Sequence, residues 1–309
     1  MQAVIMAGGF GTRLRPLTNN IPKPMVPILN KPILEHIINL LKTHKIKDFV
    51  ILLYYMPETI KKHFGDGSKF GVKIRYVVPD QDFGTAGAVK LSENYIDDKF
   101  IVISGDVLTD FNLTDIKDFH EKKNTIATLS LYSSKNPLQF GIVLTDKQDK
   151  IVRFLEKPSS SEVFSDTINT GIYFFSREIF RYIPEGESYD FSQDLFPQLL
   201  KKNIPIYGFK TKGYWRDVGN LEEYIEANMD TLNGQLSYIK STDKNGNCLS
   251  KSSKIDKHSV IENSIIGDNV IIEKGAVIKN SVLWNNVTVS SDSRLLFDVI
   301  GNNCFIGRG

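Results

Sequence analysis

The stretch Val4-Ile5-Met6-Ala7-Gly8-Gly9-Phe10-Gly11-Thr12-Arg13-Leu14 decides how the chain is read. The apolar run Val4-Ile5-Met6 makes a short buried strand, and a glycine-rich loop follows at once. Gly8, Gly9 and Gly11 let backbone N–H groups come close to a ligand. Arg13 adds a cationic fork suited to phosphate. The loop is not a dinucleotide fingerprint, because Leu14 stands where the third glycine belongs and Pro16 opposes an immediate helix. It is not a Walker A loop either, since no Gly-Lys-Ser/Thr follows. The chain runs on into Pro16-Leu17-Thr18 and Pro22-Lys23-Pro24-Met25. A lysine between two prolines has little backbone freedom, so Lys23 sits on a pre-set arm able to deliver one charge to one place.

Outward from this loop, strand-like and helix-like patterns alternate to about residue 233. A helix is expected from about Lys31, with Asn30 as its cap, Pro32 in its first turn and Ile33, Ile37, Ile38 and Leu41 as its apolar stripe. Strands are expected at 49–54, 72–78 and 100–104, and helices at 57–64, from about Gly84, and at 113–120. This rhythm predicts a mostly parallel sheet with helices on both faces. After Thr125 the strands crowd together, at 127–131, 141–144, 151–154 and 168–175, which adds antiparallel members and makes the sheet mixed. Helices are expected at 191–201 and 221–232.

From about Ile255 the pattern changes. Val260, Ile266, Ile272 and Ile278 lie six apart, as do Ile300 and Ile306 in another phase, with an irregular stretch over 284–297 between the sets. A six-residue period predicts a parallel β-helix of hexapeptide turns. Small or medium residues recur four positions on, at Ser264, Val270, Ala276, Val282 and Cys304, so Cys304 is expected inside the prism. The polar segment 236–254 reads as a linker between a domain over 1–235 and a β-helix over 255–309. The sequence stops in mid-repeat, which suggests an edge that meets another subunit, or a longer natural gene.

Composition agrees with two globular domains: 309 residues, 41% hydrophobic and 24% charged. Lys and Arg total 38 against 36 Asp and Glu, so bulk charge gives no nucleic-acid footprint. Two cysteines without a pairing pattern point to a reducing compartment, and neither a signal peptide nor a membrane-spanning run is read. The five histidines show no metal-binding spacing.

Acidic candidates stand at strand ends and turns. Ser104-Gly105-Asp106 closes the apolar strand that ends at Ile103, where ligands of open α/β sheets sit. Asp217 lies in Gly213-Tyr214-Trp215-Arg216-Asp217-Val218-Gly219. Spacing alone does not pair these two acids.

The run from Gly8 to Pro24 resembles the signature G-G-x-G-T-R-L-x-P-L-T, followed by P-K-P, of the sugar-1-phosphate nucleotidylyltransferases, and matches it at every fixed position. The likeness extends to about residue 233, and the β-helix resembles that of a branch of the family, bacterial mannose-1-phosphate guanylyltransferases above all. It implies an α/β, Rossmann-like, mostly parallel mixed sheet flanked by helices, followed by a short left-handed parallel β-helix. It implies that Arg13, Lys23, Asp106 and Asp217 are catalytic, with Asp106 and Asp217 holding Mg²⁺. Ala7, Gly8, Gly9, Gly11, Thr12 and Arg13 would bind the nucleotide with Gly84, Thr85 and Gly87. On the sugar-phosphate side the resemblance implies Glu156, Lys157, Asn169 and Thr170, joined by Asp217 and by Gly141.

The base is read least directly. The run Gly84-Thr85-Ala86-Gly87-Ala88 resembles the guanylyltransferase branch. The glutamine by which uridylyl and thymidylyl branches read a pyrimidine is replaced by Pro79, and Asp80 or Asp82 is left to accept from guanine N–H groups. The expected reaction is GTP with mannose-1-phosphate giving GDP-mannose and pyrophosphate. Glucose-1-phosphate with UTP, dTTP or ATP is the alternative. A non-catalytic regulatory relative would have lost Arg13, Lys23, Asp106 or Asp217, all of which are present. An acyltransferase would need a histidine between β-helices, and His258 alone stands near that region. A cytoplasmic homo-oligomer is expected, with a further phosphomutase-like domain in the natural gene and neither nucleic-acid nor membrane partners.

Overall fold

The structure is a computed structural model and describes residues 1–236, 243 and 246–308, so part of the expected linker lies outside the described residues. The chain divides into two compact units. The first comprises Met1–Phe10, Ile37–Val107 and Phe111–Trp215; the second comprises Gly11–His36, Leu108–Asp110 and Arg216–Gly309.

In the first unit, Gln2–Met6 lies between Lys99–Ser104 and Asp48–Leu52, and Lys73–Val77 pairs outside Asp48–Leu52, all parallel. Such strands are covered on both faces and therefore read as unbroken apolar runs. Val4, Ile5, Val50, Ile51 and Ile101 to Ile103 are all fully buried. The other half is antiparallel: Thr167–Ser176 pairs with Lys99–Ser104, Ala127–Ser133 and Ile142–Thr145, and Ile151–Leu155 pairs with Ile142–Thr145. The expected mixed sheet is thus present. Tyr207–Lys210, which the sequence pattern did not reveal, pairs parallel with Ala127–Ser133. Phe100 stacks on Phe180 with centroids 5.2 Å apart in a core that also holds Phe175, Phe191 and Phe196.

His120, on the helix Leu113–Lys123, is buried under this sheet with its Nδ1 2.9 Å from the Thr128 hydroxyl. Burial, reinforced by the Lys99 charge, lowers its pKa to about 4 against a small opposing effect of Asp98. As pH falls through 6.5 the unfolded chain gains a proton that the folded chain refuses until about pH 4. Stability is therefore lost on acidification, by about 2 kcal/mol between pH 7 and pH 5. Denaturant unfolding at both pH values should show this loss, and His120→Gln should remove that share of it.

The expected helix start at Lys31 is corrected. Lys31–Pro32 pairs antiparallel with Pro27–Ile28, and the helix is Ile33–Thr43. Asn30 does not cap it, because Asn30 forms the turn of this ribbon at φ 62° and its side-chain amide donates to the Ile266 carbonyl. The expected helix at 191–201 opens as a wide turn over Phe191–Leu195, capped by Asp190, and continues as Phe196–Lys201.

In the second unit, Leu221–Leu232 is helical, with Asn220 accepting from the Glu223 N–H at its start. The tail forms three parallel ladders, starting at Cys248–Leu249, Lys254–Ile255 and Val260–Glu262. Equivalent residues recur every 17, because one corner of each coil is a residue short of the hexapeptide period. At that corner Asn263, Asn280 and Phe297 take positive φ. The apparent irregularity over 284–297 is this phase step, with Thr288–Val289 and Arg294–Leu296 in regular ladders. Two expectations are corrected. Val260 is 41% exposed and Ile261 packs against the core. Cys304 is exposed, although Val270 and Val287 in the same column are buried. No helix among the described residues is long and apolar enough to cross a membrane.

Candidate active site

In the first unit a cavity of about 340 Å³ opens at the carboxyl ends of the parallel strands. Gly8, Gly9, Phe10, Tyr54, Pro79, Gln81, Asp82, Gly84, Thr85, Ser104 and Asp106 line it. Ala7 is fixed by its N–H to the Leu52 carbonyl, and a Cβ on Gly8 would lie 3.1 Å from that of Tyr54. Gly9 faces open space, as a loop presenting its backbone to a ligand requires. The Ser104 hydroxyl donates to Asp106 Oδ1 at 2.6 Å and sets that carboxylate. Gly105 makes room for the Met6 carbonyl, 2.7 Å from where its Cβ would stand.

The Gly84–Lys90 helix is fixed by its neighbour. Cβ atoms on Gly84 and Gly87 would meet the Tyr189 and Glu187 carbonyls at 2.8 and 2.6 Å. The Thr85 hydroxyl donates to Asp190 Oδ2 at 2.7 Å and accepts from the Phe191 N–H. Asp82 accepts from the Gly84 N–H at 2.9 Å while lining the cavity. Asp80 is exposed and lies outside the lining, whereas Gln81 lies within it. The sequence reading passed over Gln81, and also Asp190, which gains its role only when segments 105 residues apart meet.

A second polar cluster of this unit gathers Gly141, Glu156 and Asn169. Burial raises the pKa of Glu156, against the Lys157 charge and the Ser192 hydroxyl, which lower it. Glu156 Oε2 lies 2.6 Å from where a Gly141 Cβ would stand. The Asn169 amide donates to Tyr173 Oη at 2.9 Å and to Ser192 Oγ at 3.3 Å. Lys157 is exposed at a positive φ of 44°. Thr170 is buried, its hydroxyl donating to the Ser130 carbonyl and its own carbonyl accepting from Trp215 Nε1.

In the second unit Gly11, at φ 65°, precedes a short turn over Thr12–Leu14. A Cβ on Gly11 would press on Lys23 Cβ and Thr18 Cγ2 at 3.0 Å. Lys23 opens a 3-10 turn behind Pro22, and its Nζ is 3.6 Å from Asp217 Oδ1. The Lys23 side chain is 9% exposed and that of Asp217 29%. Arg13 Nη2 and Asp217 Oδ2 both flank Gly219, 3.2 and 3.3 Å from where its Cβ would be. Arg13 and Asp217, two of the expected catalytic side chains, thus flank Gly219, a residue the sequence reading did not assign, and a third, Lys23, pairs with that Asp217.

Residues 2–234 match the family described as Nucleotidyl transferase, and residues 245–309 match the GMPPB C-terminal domain. The chain is similar to the UTP–glucose-1-phosphate uridylyltransferase of Synechocystis sp., 38% identical over 78% of this chain and 66% of that protein. It is also similar to the mannose-1-phosphate guanylyltransferase of Mycobacterium tuberculosis, 36% identical over 76% of this chain and 65% of that protein. It therefore spans slightly less than two thirds of the length of these curated relatives. Among solved structures, HddC from Yersinia pseudotuberculosis complexed with GMP-PN aligns with TM-score 0.64 and 27% identity, covering 74% of this chain and 99% of that one. With a family match over residues 2–234 of 309, the chain belongs to the nucleotidyl transferase family.

Proposed function

We propose that the protein transfers a nucleotidyl group from a nucleoside triphosphate to a sugar-1-phosphate, with GTP and mannose-1-phosphate as the pair. The observation that carries the reaction class is the pairing of Lys23, nearly buried on its proline-bounded turn, with Asp217 beside Arg13. An oxygen of the sugar phosphate attacks the α-phosphorus, the bond to the β-phosphate oxygen breaks, and pyrophosphate leaves. The attacking oxygen is already ionised, so no general base is required, and positioning with charge neutralisation does most of the work. Lys23 offsets charge at the transferring phosphoryl group. Arg13 and the loop amides hold the leaving phosphates.

Mg²⁺ is the proposed metal. Among the described residues there is no cluster of three metal-binding side chains. A carboxylate such as Asp106 or Asp217 suits a cation that keeps several waters and takes the rest of its shell from phosphate. When bound, such an ion neutralises phosphate charge.

The base and sugar assignment is supported by the match of residues 245–309 to the GMPPB C-terminal domain, by the Mycobacterium tuberculosis relative and by the guanine-nucleotide complex of HddC. The Synechocystis relative favours a second reading, UTP with glucose-1-phosphate. Chromatography of the products tests the choice: GDP-mannose is expected from the first pair, and UDP-glucose as the dominant product would replace it. Gly141→Ala should press on Glu156 and on the Phe154 ring, 2.7 Å from the new Cβ. It is expected to raise KM for the sugar phosphate ~10-fold with KM for the nucleotide unchanged. Equal effects on both would remove Glu156 from the sugar side. A cytoplasmic location goes with this reading, as do Cys248 and Cys304, which form no disulfide. Self-association through the β-helix, where Leu296, Phe297 and Phe305 are exposed, belongs to the same proposal.

A further inference from the structure

The segment that carries Lys23 has few backbone donors of its own, because residues 22, 24, 27 and 32 are prolines. It takes its anchors from elsewhere in the second unit. The buried Trp284 of the β-helix donates from Nε1 to Tyr224 Oη at 2.8 Å. Tyr224, on the helix Leu221–Leu232 and fully buried, donates in turn to the Pro27 carbonyl at 2.8 Å. One helical turn on, the buried Asn228 accepts from the Leu29 N–H and donates to the Tyr224 carbonyl. Asn30 donates to the Ile266 carbonyl of the β-helix at 2.9 Å. Leu29 itself sits at φ 46°, a conformation a leucine keeps only where its surroundings impose it.

We infer that Trp284 and Tyr224 are positioning residues for Lys23, and that the β-helix acts through this hydrogen-bonded relay to hold the lysine segment in place. The relay has both ends satisfied: the tyrosine hydroxyl accepts from the indole and donates to the carbonyl, so losing either partner frees the other. The Val26 N–H bonds the Lys23 carbonyl and the Pro27 carbonyl follows directly, so displacement at Pro27 passes to the lysine turn through a single residue. The inference that this matters for catalysis rests on the proposed function; the positioning itself does not.

The test uses Tyr224→Phe in the full chain, which keeps the ring and its packing while removing both hydrogen bonds. A brief pulse of an amine-reactive acylating reagent, read by peptide mass spectrometry, should label Lys23 ~5-fold faster in the variant. Lys31, whose side chain is already 58% exposed, should label at the same rate in both proteins and serves as the internal reference. Trp284→Phe should give the same change at Lys23. Unchanged Lys23 labelling in Tyr224→Phe overturns the inference. In kinetics, Tyr224→Phe should lower kcat per folded molecule ~10-fold with both KM values within about twofold, and should cost nothing further in a Lys23→Ala background. An equal loss in both backgrounds would show that Tyr224 does not act through Lys23. Faster labelling with no transfer by the wild-type chain would leave the positioning intact and remove the proposed function.

Discussion

Replacing Lys23 with alanine is expected to lower kcat by ~10²–10³-fold, the scale of losing one preorganised donor aimed at developing charge. The lysine is placed for such a role. It is nearly buried, its turn is bounded by prolines, and Gly11 leaves the space its Cβ occupies. A cation held this way needs no reorganisation as charge moves from the triphosphate to the leaving pyrophosphate. KM for either substrate should change little, because the interaction strengthens in the transition state more than in the ground state. Lys23→Arg should not rescue turnover, since a planar fork does not fit the slot of a compact ammonium. Steady-state kinetics with both substrates saturating is the check. A variant within fivefold of the wild type would show that Lys23 is not at the reacting centre.

Asp217→Asn carries the second large effect, a loss of turnover of ~10²-fold with two separate causes. The carboxylate is 3.6 Å from the lysine ammonium, so the amide leaves a nearly buried cation without that counter-charge. The cost in stability is about 1–2 kcal/mol, below the value for a fully buried pair because Asp217 is 29% exposed. If Asp217 also holds the metal, the Mg²⁺ concentration giving half-maximal rate should rise at least ~10-fold. Titration of rate against Mg²⁺, beside an unfolding curve, separates the two. An unchanged Mg²⁺ requirement with lowered stability would leave Asp217 as the partner of Lys23 alone.

The parts of the fold that the sequence revealed are those where one physical demand acts alone. Val4 to Met6 and Phe100 to Ile103 are buried on both faces and could only read as apolar runs. Lys23 was legible because proline on both sides is a local constraint. Elsewhere long-range packing overrode local pattern. Asn30 and Pro32 have the local chemistry of a helix start, yet pairing with Pro27–Ile28 and the bond to Ile266 claim them first. Gly84 and Gly87 read as nucleotide-binding glycines, and the folded chain shows a further demand on them that the sequence did not: the place of each missing Cβ is taken by a backbone carbonyl of the protein. The six-residue period of the tail was visible, but the shorter corner was not. Asn263 and Asn280 hint at it, and Phe297 at the equivalent position conceals it. The Trp284–Tyr224–Pro27 relay had no signal in the sequence at all, since it joins residues brought together only by folding.

The central claim is that this chain moves a nucleotidyl group onto a sugar phosphate. Pyrophosphate release with Mg²⁺, measured for GTP, ATP, UTP, dTTP and CTP each crossed with mannose-1-phosphate and glucose-1-phosphate, tests it most directly. The account predicts release that needs both substrates and is greatest with GTP and mannose-1-phosphate. A maximum at another pair would keep the transfer and replace the substrates. No release with any pair, from folded protein that still binds nucleotide, would contradict the account.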